Sequence, residues 1–189
     1  MSNQRKTNMK KLIVLFVATL LTSQSYAQDS KGYVGLNLGV GLPIGDTGDA
    51  IDAGFELGLI NLGFRFTETF GATLNWGASG HISTYDPGIT VGVGYLSLGP
   101  MISAGRFDFK PQYAVVSTVI EVDGYKLTID CKGVVLGATY NIPLGSNWAL
   151  AANADYFNFK PTKDEQEAFG IGDEADNLIK LSLGVRYLF

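Results

Sequence analysis

The most constraining feature of this sequence is its last segment, in which apolar residues occupy every second position. One face of an extended chain there carries Ile179, Leu181, Leu183, Val185, Tyr187 and Phe189. The opposite face carries Lys180, Ser182, Gly184, Arg186 and Leu188. A period of two is typical of a β-strand, and the contrast between the faces indicates that they meet different surroundings.

Seven earlier segments repeat this alternation, with small or polar residues on the second face. They lie near residues 33–42, 54–66, 70–79, 90–102, 107–115, 133–140 and 148–157. The alternation changes phase near Leu59-Ile60 and near Tyr95-Leu96, and we predict a β-bulge at each point because a bulge restores the two faces. Eight strands of this kind predict an all-β fold, an eight-stranded antiparallel up-and-down transmembrane β-barrel.

The predicted connections between strands alternate in length. Short ones lie at 67–69, 103–106 and 143–147, and long ones at about 43–53, 80–89, 117–131 and 161–176. Transmembrane barrels have short turns at one end and long loops at the other, so this alternation supports the barrel. Aromatic residues cluster beside the short turns and the chain end, where an interfacial girdle is expected.

The third long connection has an alternative interpretation as a continuation of its two strands. The β-rich segments 117–122 and 125–129 flank Asp123-Gly124, a strong signal for a type I′ hairpin turn. These strands would then extend beyond the membrane as a ribbon, and the exposed edge of that ribbon offers a pairing site for a strand of another protein.

The first 27 residues have the composition of a cleaved signal peptide. A basic stretch with Arg5, Lys6, Lys10 and Lys11 precedes an apolar run from Leu12 to Leu21, and Ser25-Tyr26-Ala27 provides small residues for cleavage. We therefore expect the mature domain to comprise residues 28–189. Its formal net charge is −8 rather than −4, because the leader holds four basic residues and no acidic ones. This acidic balance argues against nucleic-acid binding.

The chain resembles the OmpA/OmpX-like family of small outer-membrane barrels, often grouped as porin-family β-barrels. The resemblance covers the whole mature segment and is most specific in Leu183–Phe189, where Val185, Tyr187 and Phe189 match the family's assembly signal. It implies location in the bacterial outer membrane as a monomer, contact with outer-membrane lipids including lipopolysaccharide, and recognition by periplasmic chaperones and the barrel-assembly machinery. It does not imply one activity.

Seven charged residues fall on the predicted inner face, and we expect them to form ion pairs across a narrow lumen. They are Glu56, Arg65, Asp108, Lys110, Asp155, Lys180 and Arg186. Because eight strands leave room for side chains but hardly for a channel, we expect a polar, filled interior. The sequence thus favours a non-enzymatic surface scaffold or interaction protein, with no cofactor and no metal site.

Three other functions stay open at this stage. A narrow pore for small solutes or ions is the first alternative. The second is a lipid-modifying enzyme, because His81-Ile82-Ser83 has a spacing that also occurs in lipid A deacylase barrels; no acid lies near it before Asp86, and we expect His81 to be a solvated loop residue. The third is a soluble lipocalin-like barrel, which the charged inner face argues against.

Overall fold

A computed structural model describes residues 31–189, so the predicted signal peptide 1–27 and the start of the mature domain lie outside the described residues. The described chain forms a closed barrel of eight strands with two short helices between them. In chain order these are β1 Gly32–Ile44, α1 Asp46–Ala50, β2 Gly54–Arg65, β3 Phe70–Ile82, β4 Thr90–Ala104, β5 Phe107–Val122, β6 Tyr125–Pro143, β7 Trp148–Pro161, α2 Lys163–Phe169 and β8 Asp176–Leu188.

Each strand pairs antiparallel with its neighbours in the chain, and β8 closes the barrel against β1. The closing ladder runs from the pair Tyr33–Leu188 to the pair Ile44–Asn177, and the backbones of Gly32 and Phe189 exchange two hydrogen bonds at its end. The predicted eight-stranded up-and-down barrel is therefore confirmed. Closure leaves no sheet edge along the wall, so the wall's backbone groups pair within the chain.

The two faces of the strands differ as the alternation predicts. The outward positions of β8 are exposed, with Leu183 69% accessible, whereas Lys180 and Arg186 between them are buried. The same arrangement holds for β1, β3, β5 and β7. The apolar face thus lies on the outside of the barrel, and the charged face lines its interior.

The bulge predicted in β2 is confirmed. The register of β2 shifts between Gly58 and Ile60 against β3, and a matching shift occurs against β1. Leu59 and Ile60 thus together take the place of a single outward-facing residue. Glu56 and Asn61, on either side of the bulge, both face the interior.

The bulge predicted in β4 is wrong. The β3–β4 register is continuous from Phe70–Ile102 to Ile82–Thr90, and Val91, Val93 and Tyr95 all face the interior. The alternation only looks interrupted, because the inner face itself changes from polar to apolar along this strand.

The predicted turns and loops lie at opposite ends of the barrel. The short connections span residues 66–69, 105–106 and 144–147, while α1 and α2 lie in the first and last connections of the other end. The third connection at that end is a two-residue turn, in which Asp123 and Gly124 both have positive φ and the β5–β6 ladder continues to Val122–Tyr125. The hairpin alternative is therefore confirmed.

Among residues 31–189, no helix has the length and apolar character needed to cross a bilayer.

Candidate functional site in the barrel interior

All seven predicted inner charges lie inside the barrel, and the structure brings them together in three groups. Arg65, Asp108 and Arg186 form one group near the short turns. Lys110 pairs with Asp155, and Glu56 pairs with Lys180. Since none of these ion pairs joins two neighbouring strands, the pairs link separate parts of the wall across the lumen.

Asp108 is the centre of the first group. Its Oδ2 lies 3.1 Å from Arg186 Nη1 and its Oδ1 lies 3.3 Å from Arg65 Nη2. The Ser103 hydroxyl and the Asn141 side-chain amide also donate to this carboxylate, at 2.7 and 2.8 Å. Four donors around one buried carboxylate compensate the loss of its hydration.

Arg186 is completely buried and holds the first group together. Its Nη1 donates to Asn141 at 2.8 Å, and its Nη2 donates to Asn61 and Thr139, each at 3.3 Å. The guanidinium lies 3.9 Å from the ring centroid of Tyr33, in cation–π geometry. A planar group with several donors suits such a site, because its two terminal nitrogens reach acceptors on β2, β5 and β6.

Amides and hydroxyls fill the middle of the interior around the Lys110–Asp155 pair, whose Nζ and Oδ1 atoms lie 3.3 Å apart. Gln112 accepts a hydrogen bond from Asn75 at 3.0 Å and one from Ser97 at 3.2 Å. These bonds connect β3, β4 and β5 at one level. The cross-section there is occupied by side chains that hold one another in place.

The third group lies closer to the long connections. Lys180 Nζ is 2.9 Å from Glu56 Oε2, and the Tyr95 hydroxyl donates to Glu56 Oε1 at 2.6 Å. The same ammonium group lies 3.5 Å from the ring centroid of Tyr95 and 4.6 Å from that of Phe157. The two aromatic rings therefore cover part of the Glu56–Lys180 ion pair inside the barrel.

Beyond this group the interior becomes apolar, which the sequence interpretation missed. Its buried residues are Val91, Val93, Tyr95, Ala114, Val116, Cys131, Val135, Phe157, Phe159 and Leu178. The signal that could have revealed it is the pair Val91 and Val93, which stand in phase with Ser97 on β4 if no bulge is introduced. The interior thus has a polar part near the short turns and an apolar part near the long connections.

His81 is not a solvated loop residue, and that expectation is corrected. It lies in β3 facing the interior and is 3% exposed. Its Nδ1 donates to the backbone carbonyl of Asp52 at 2.9 Å, and the Ser79 hydroxyl lies 2.9 Å from Nε2. Its hydrogen-bond partners are thus Asp52 and Ser79, and the Ser83 hydroxyl lies near the backbone amide of Tyr85. This histidine attaches the first connection to the barrel mouth.

The interior leaves little free space around the charged groups. A cavity of about 10 Å³ lies between Glu56, Asn61, Asn75 and Tyr95, which is space for about one water molecule. In residues 31–189, no group of three histidine, cysteine or acidic side chains is arranged to hold a metal ion. Cys131, the one cysteine of the sequence, is buried and unpaired.

The residues that match the assembly signal lie on the outside. Val185 and Tyr187 on β8 and Phe189 directly after it all face outward, and the ring of Tyr187 packs edge-on against Trp148 with centroids 5.2 Å apart. Further aromatic contacts occur beside the short turns, between Phe64 and Phe66 and between Phe107 and Tyr140. This end of the barrel carries the aromatic cluster that the sequence predicts.

Comparison with known proteins supports the fold. No protein-family model matches the chain, and no curated protein sequence matches it. Among solved structures it is similar to Neisserial surface protein A, with a TM-score of 0.55 and 16% identity over 84% of this chain and 97% of that one. It is also similar to Ail, the attachment invasion locus protein of Yersinia pestis, with a TM-score of 0.50 and 15% identity over 84% and 99% of the two chains. The outer membrane protein OprG from Pseudomonas aeruginosa matches with a TM-score of 0.51 and 12% identity over 87% and 99%. This chain therefore shares the eight-stranded barrel fold of these proteins.

Proposed function

We propose that this chain is an integral outer-membrane β-barrel with a plugged polar lumen, which acts at the cell surface as a scaffold or interaction protein. The observation that carries the proposal is the inverted polarity of the barrel. Large apolar side chains cover the outside, whereas buried ion pairs fill the inside. A protein in water exposes few contiguous apolar surfaces of this size, so a lipid environment explains the outer face.

The dimensions of the apolar outer face support a membrane span. On three successive strands it extends over nine residues, 107–115 on β5, 134–142 on β6 and 148–156 on β7. A tilted strand needs about 9–11 residues to cross the hydrocarbon core of a bilayer. The fold shared with OprG, described as an outer membrane protein, supports the same location.

The partners follow from this location. We propose that outer-membrane lipids including lipopolysaccharide surround the apolar belt, and that the barrel itself is monomeric because one chain closes it. Export requires the predicted leader 1–27, and assembly requires periplasmic chaperones and the barrel-assembly machinery. These would recognise the outward row Val185, Tyr187 and Phe189 at the end of the closing strand.

The packing of the interior supports a plug rather than a pore. The completely buried Arg186 spans from β8 to Asp108 on β5, and the cavity beside Glu56 holds about one water molecule. We propose no enzymatic activity and no cofactor. His81 faces inward with both ring nitrogens hydrogen-bonded, which leaves it no contact with lipid outside the barrel.

The ribbon of β5 and β6 is the segment proposed to contact other molecules. The β6–β7 ladder ends at Cys131–Pro161, whereas β5 stays paired with β4 up to Thr90–Glu121, so residues 125–129 of β6 pair only with β5 and leave one free strand edge. Tyr125 at the tip is 82% exposed. Backbone groups on a free strand edge can pair with an extended segment of a partner protein.

Membrane fractionation with gel mobility before and after boiling tests the location. We expect the protein in the outer-membrane fraction, with a mobility that changes on heating because a folded barrel resists the detergent. Recovery from the soluble periplasm would refute the proposal.

Conductance in planar bilayers tests the plug. We expect no regular unit conductance from the wild-type barrel. Channels whose conductance changes in Lys110→Met or Arg186→Met would support the pore alternative instead.

A changed lipid A mass in expressing cells, lost in His81→Ala, would support the enzyme alternative.

Deletion of residues 118–128 tests the ribbon. We expect the shortened protein to keep its heat-dependent mobility, because only residues 90–93 of β4 lose their partners while β4 from Gly94 onward and β6 from Cys131 onward keep theirs, and to lose binding to any partner protein that the full chain captures. Unchanged binding would exclude the ribbon as the contact segment.

A further inference from the structure

The outward face of the barrel carries charge in one region alone. Among the described residues, the charged side chains on the outward face of the strands are Glu121, Lys126, Asp130, Lys132 and Lys160. All of them lie on β5, β6 and β7 at the end with the long connections. The remaining outward positions of the eight strands are uncharged, so this region differs from the rest of the wall.

Two lysines of this region lie side by side. Lys132 and Lys160 are directly opposite each other in the β6–β7 ladder, and both side chains point outward. The Cβ atoms of such cross-strand partners are about 5 Å apart, and like charges on directly opposite residues destabilise a sheet. An anion that lies between or beside the two ammonium groups would relieve this repulsion.

The nearby carboxylates do not neutralise the pair. Lys160 Nζ lies 3.8 Å from Asp173, whose side chain is 78% exposed, so water screens that contact strongly. Asp130 lies two residues before Lys132 on β6, on the same face and nearer the hairpin tip. Its Oδ1 accepts a hydrogen bond from Ser117 at 3.2 Å. Lys132 has no ion pair within 4.0 Å in the part of the chain that the structure describes.

The height of the pair on the wall identifies the kind of anion. The outward residue below Lys132 on β6 is Val134, the last of the nine apolar positions of that strand, and Lys132 is the first position beyond them. On the proposed function, this boundary is where hydrocarbon ends and headgroups of the outer leaflet begin. Long lysine side chains at such a boundary keep their stems on apolar surface and extend their ammonium groups to the headgroups.

We propose that Lys132 and Lys160 form a binding site for the phosphate of an outer-leaflet lipid headgroup. Lysine binds phosphate as a point charge with three donors, so two lysines opposite each other on neighbouring strands can hold one phosphate, which relieves their mutual repulsion. The inference rests on the proposed membrane location and assigns the lipid contact to a defined place on the barrel.

The test uses the folded full-length protein in detergent micelles and counts retained lipid by native mass spectrometry. The probes are lipid A with both phosphates and the same lipid after removal of its phosphates. We expect the wild type to retain the phosphorylated form preferentially. The variant Lys132→Gln/Lys160→Gln should bind it roughly tenfold to thirtyfold more weakly, since each lysine near an anionic surface contributes about a factor of five.

Lys126→Gln is the matched control, because it removes a lysine from the same strand and the same face. Lys126 lies near the ribbon tip, 3.1 Å from Glu121, well beyond the headgroup boundary, and its loss should leave retention unchanged. Equal retention by the double variant, an equal loss in Lys126→Gln, or equal binding of the dephosphorylated lipid would each overturn the site. A double variant that still shows heat-dependent mobility in the outer membrane would leave the proposed function standing.

Discussion

At the scale of single residues, the interior shows how a closed barrel accommodates buried charge. Arg186 and Asp108 are both completely buried, and each makes contacts beyond the other. A buried ion pair adds little stability compared with apolar residues of the same shape, whereas losing one partner is expensive. Replacing only one of these residues should therefore lower the stability of the barrel more than replacing both with apolar residues of similar shape.

Asp108→Asn tests this dependence. The variant leaves Arg65 and Arg186 without their carboxylate, and we expect the free energy of unfolding to fall by about 3–5 kcal/mol. The measurement is urea unfolding in detergent, followed by the loss of the fast-migrating folded band. Glu121→Gln removes a carboxylate from an exposed ion pair and should change stability by less than about 1 kcal/mol. Similar losses in both variants would contradict the assignment of Asp108 to a buried network.

At the scale of strands, β2 and β4 show what periodicity can and cannot predict. The phase change at Leu59-Ile60 is a true bulge, because both neighbouring ladders shift there. The change at Tyr95-Leu96 is not a bulge, because Val91, Val93 and Tyr95 enter an apolar part of the interior. Hydrophobicity marks the outside of a barrel only while the inside is polar.

Deleting Leu59 tests the bulge. The deletion removes the extra residue and leaves a regular ladder on both sides of β2, so we expect a folded barrel with nearly wild-type heat-dependent mobility. Deleting Leu74 from the regular β3 is the control. It turns one half of that strand inside out, and we expect little folded protein because every side chain beyond the deletion changes face. Equal failure of both deletions would argue that the bulge itself is required.

The strands, their order and the inward charges could be predicted from the sequence, because alternation and turn composition are local. The partners within the interior could not. Arg186 meets Asp108 because strands β8 and β5 face each other across the lumen, a proximity set by closure and stagger of the whole barrel. The burial of His81 was also missed, because it depends on how far β3 extends and on the contact with Asp52 in another connection.

At the scale of the whole molecule, the chain end is also the closing seam. Phe189 exchanges backbone hydrogen bonds with Gly32, and its ring faces outward beside the other aromatic residues of this end. The same residue would thus serve in closure and, on the proposed function, in recognition during assembly. The two roles can be separated by experiment.

Deleting Phe189 separates them. We expect purified protein without this residue to refold in detergent at nearly the wild-type yield, because the β1–β8 ladder from Tyr33–Leu188 onward is retained. In cells we expect a several-fold lower amount in the outer membrane, measured by the heat-dependent band, because the assembly machinery lacks its terminal aromatic residue. Leu150→Ala, which truncates an outward apolar side chain on β7, is the control and should leave cellular assembly intact. Equal loss in vitro and in cells would attribute the effect to stability alone.

The change of outward residues from Val115 to Ser117 on β5 and from Val134 to Lys132 on β6 has a mechanical consequence. On the proposed function, sinking the barrel by one outward step, about 5 Å along the membrane normal, would immerse Lys132 in hydrocarbon, and raising it by one step would lift Val134 into water. The boundary between apolar and polar outward residues would therefore set the depth of the barrel in the membrane. It would also set the height of the β5–β6 hairpin tip above the surrounding lipid.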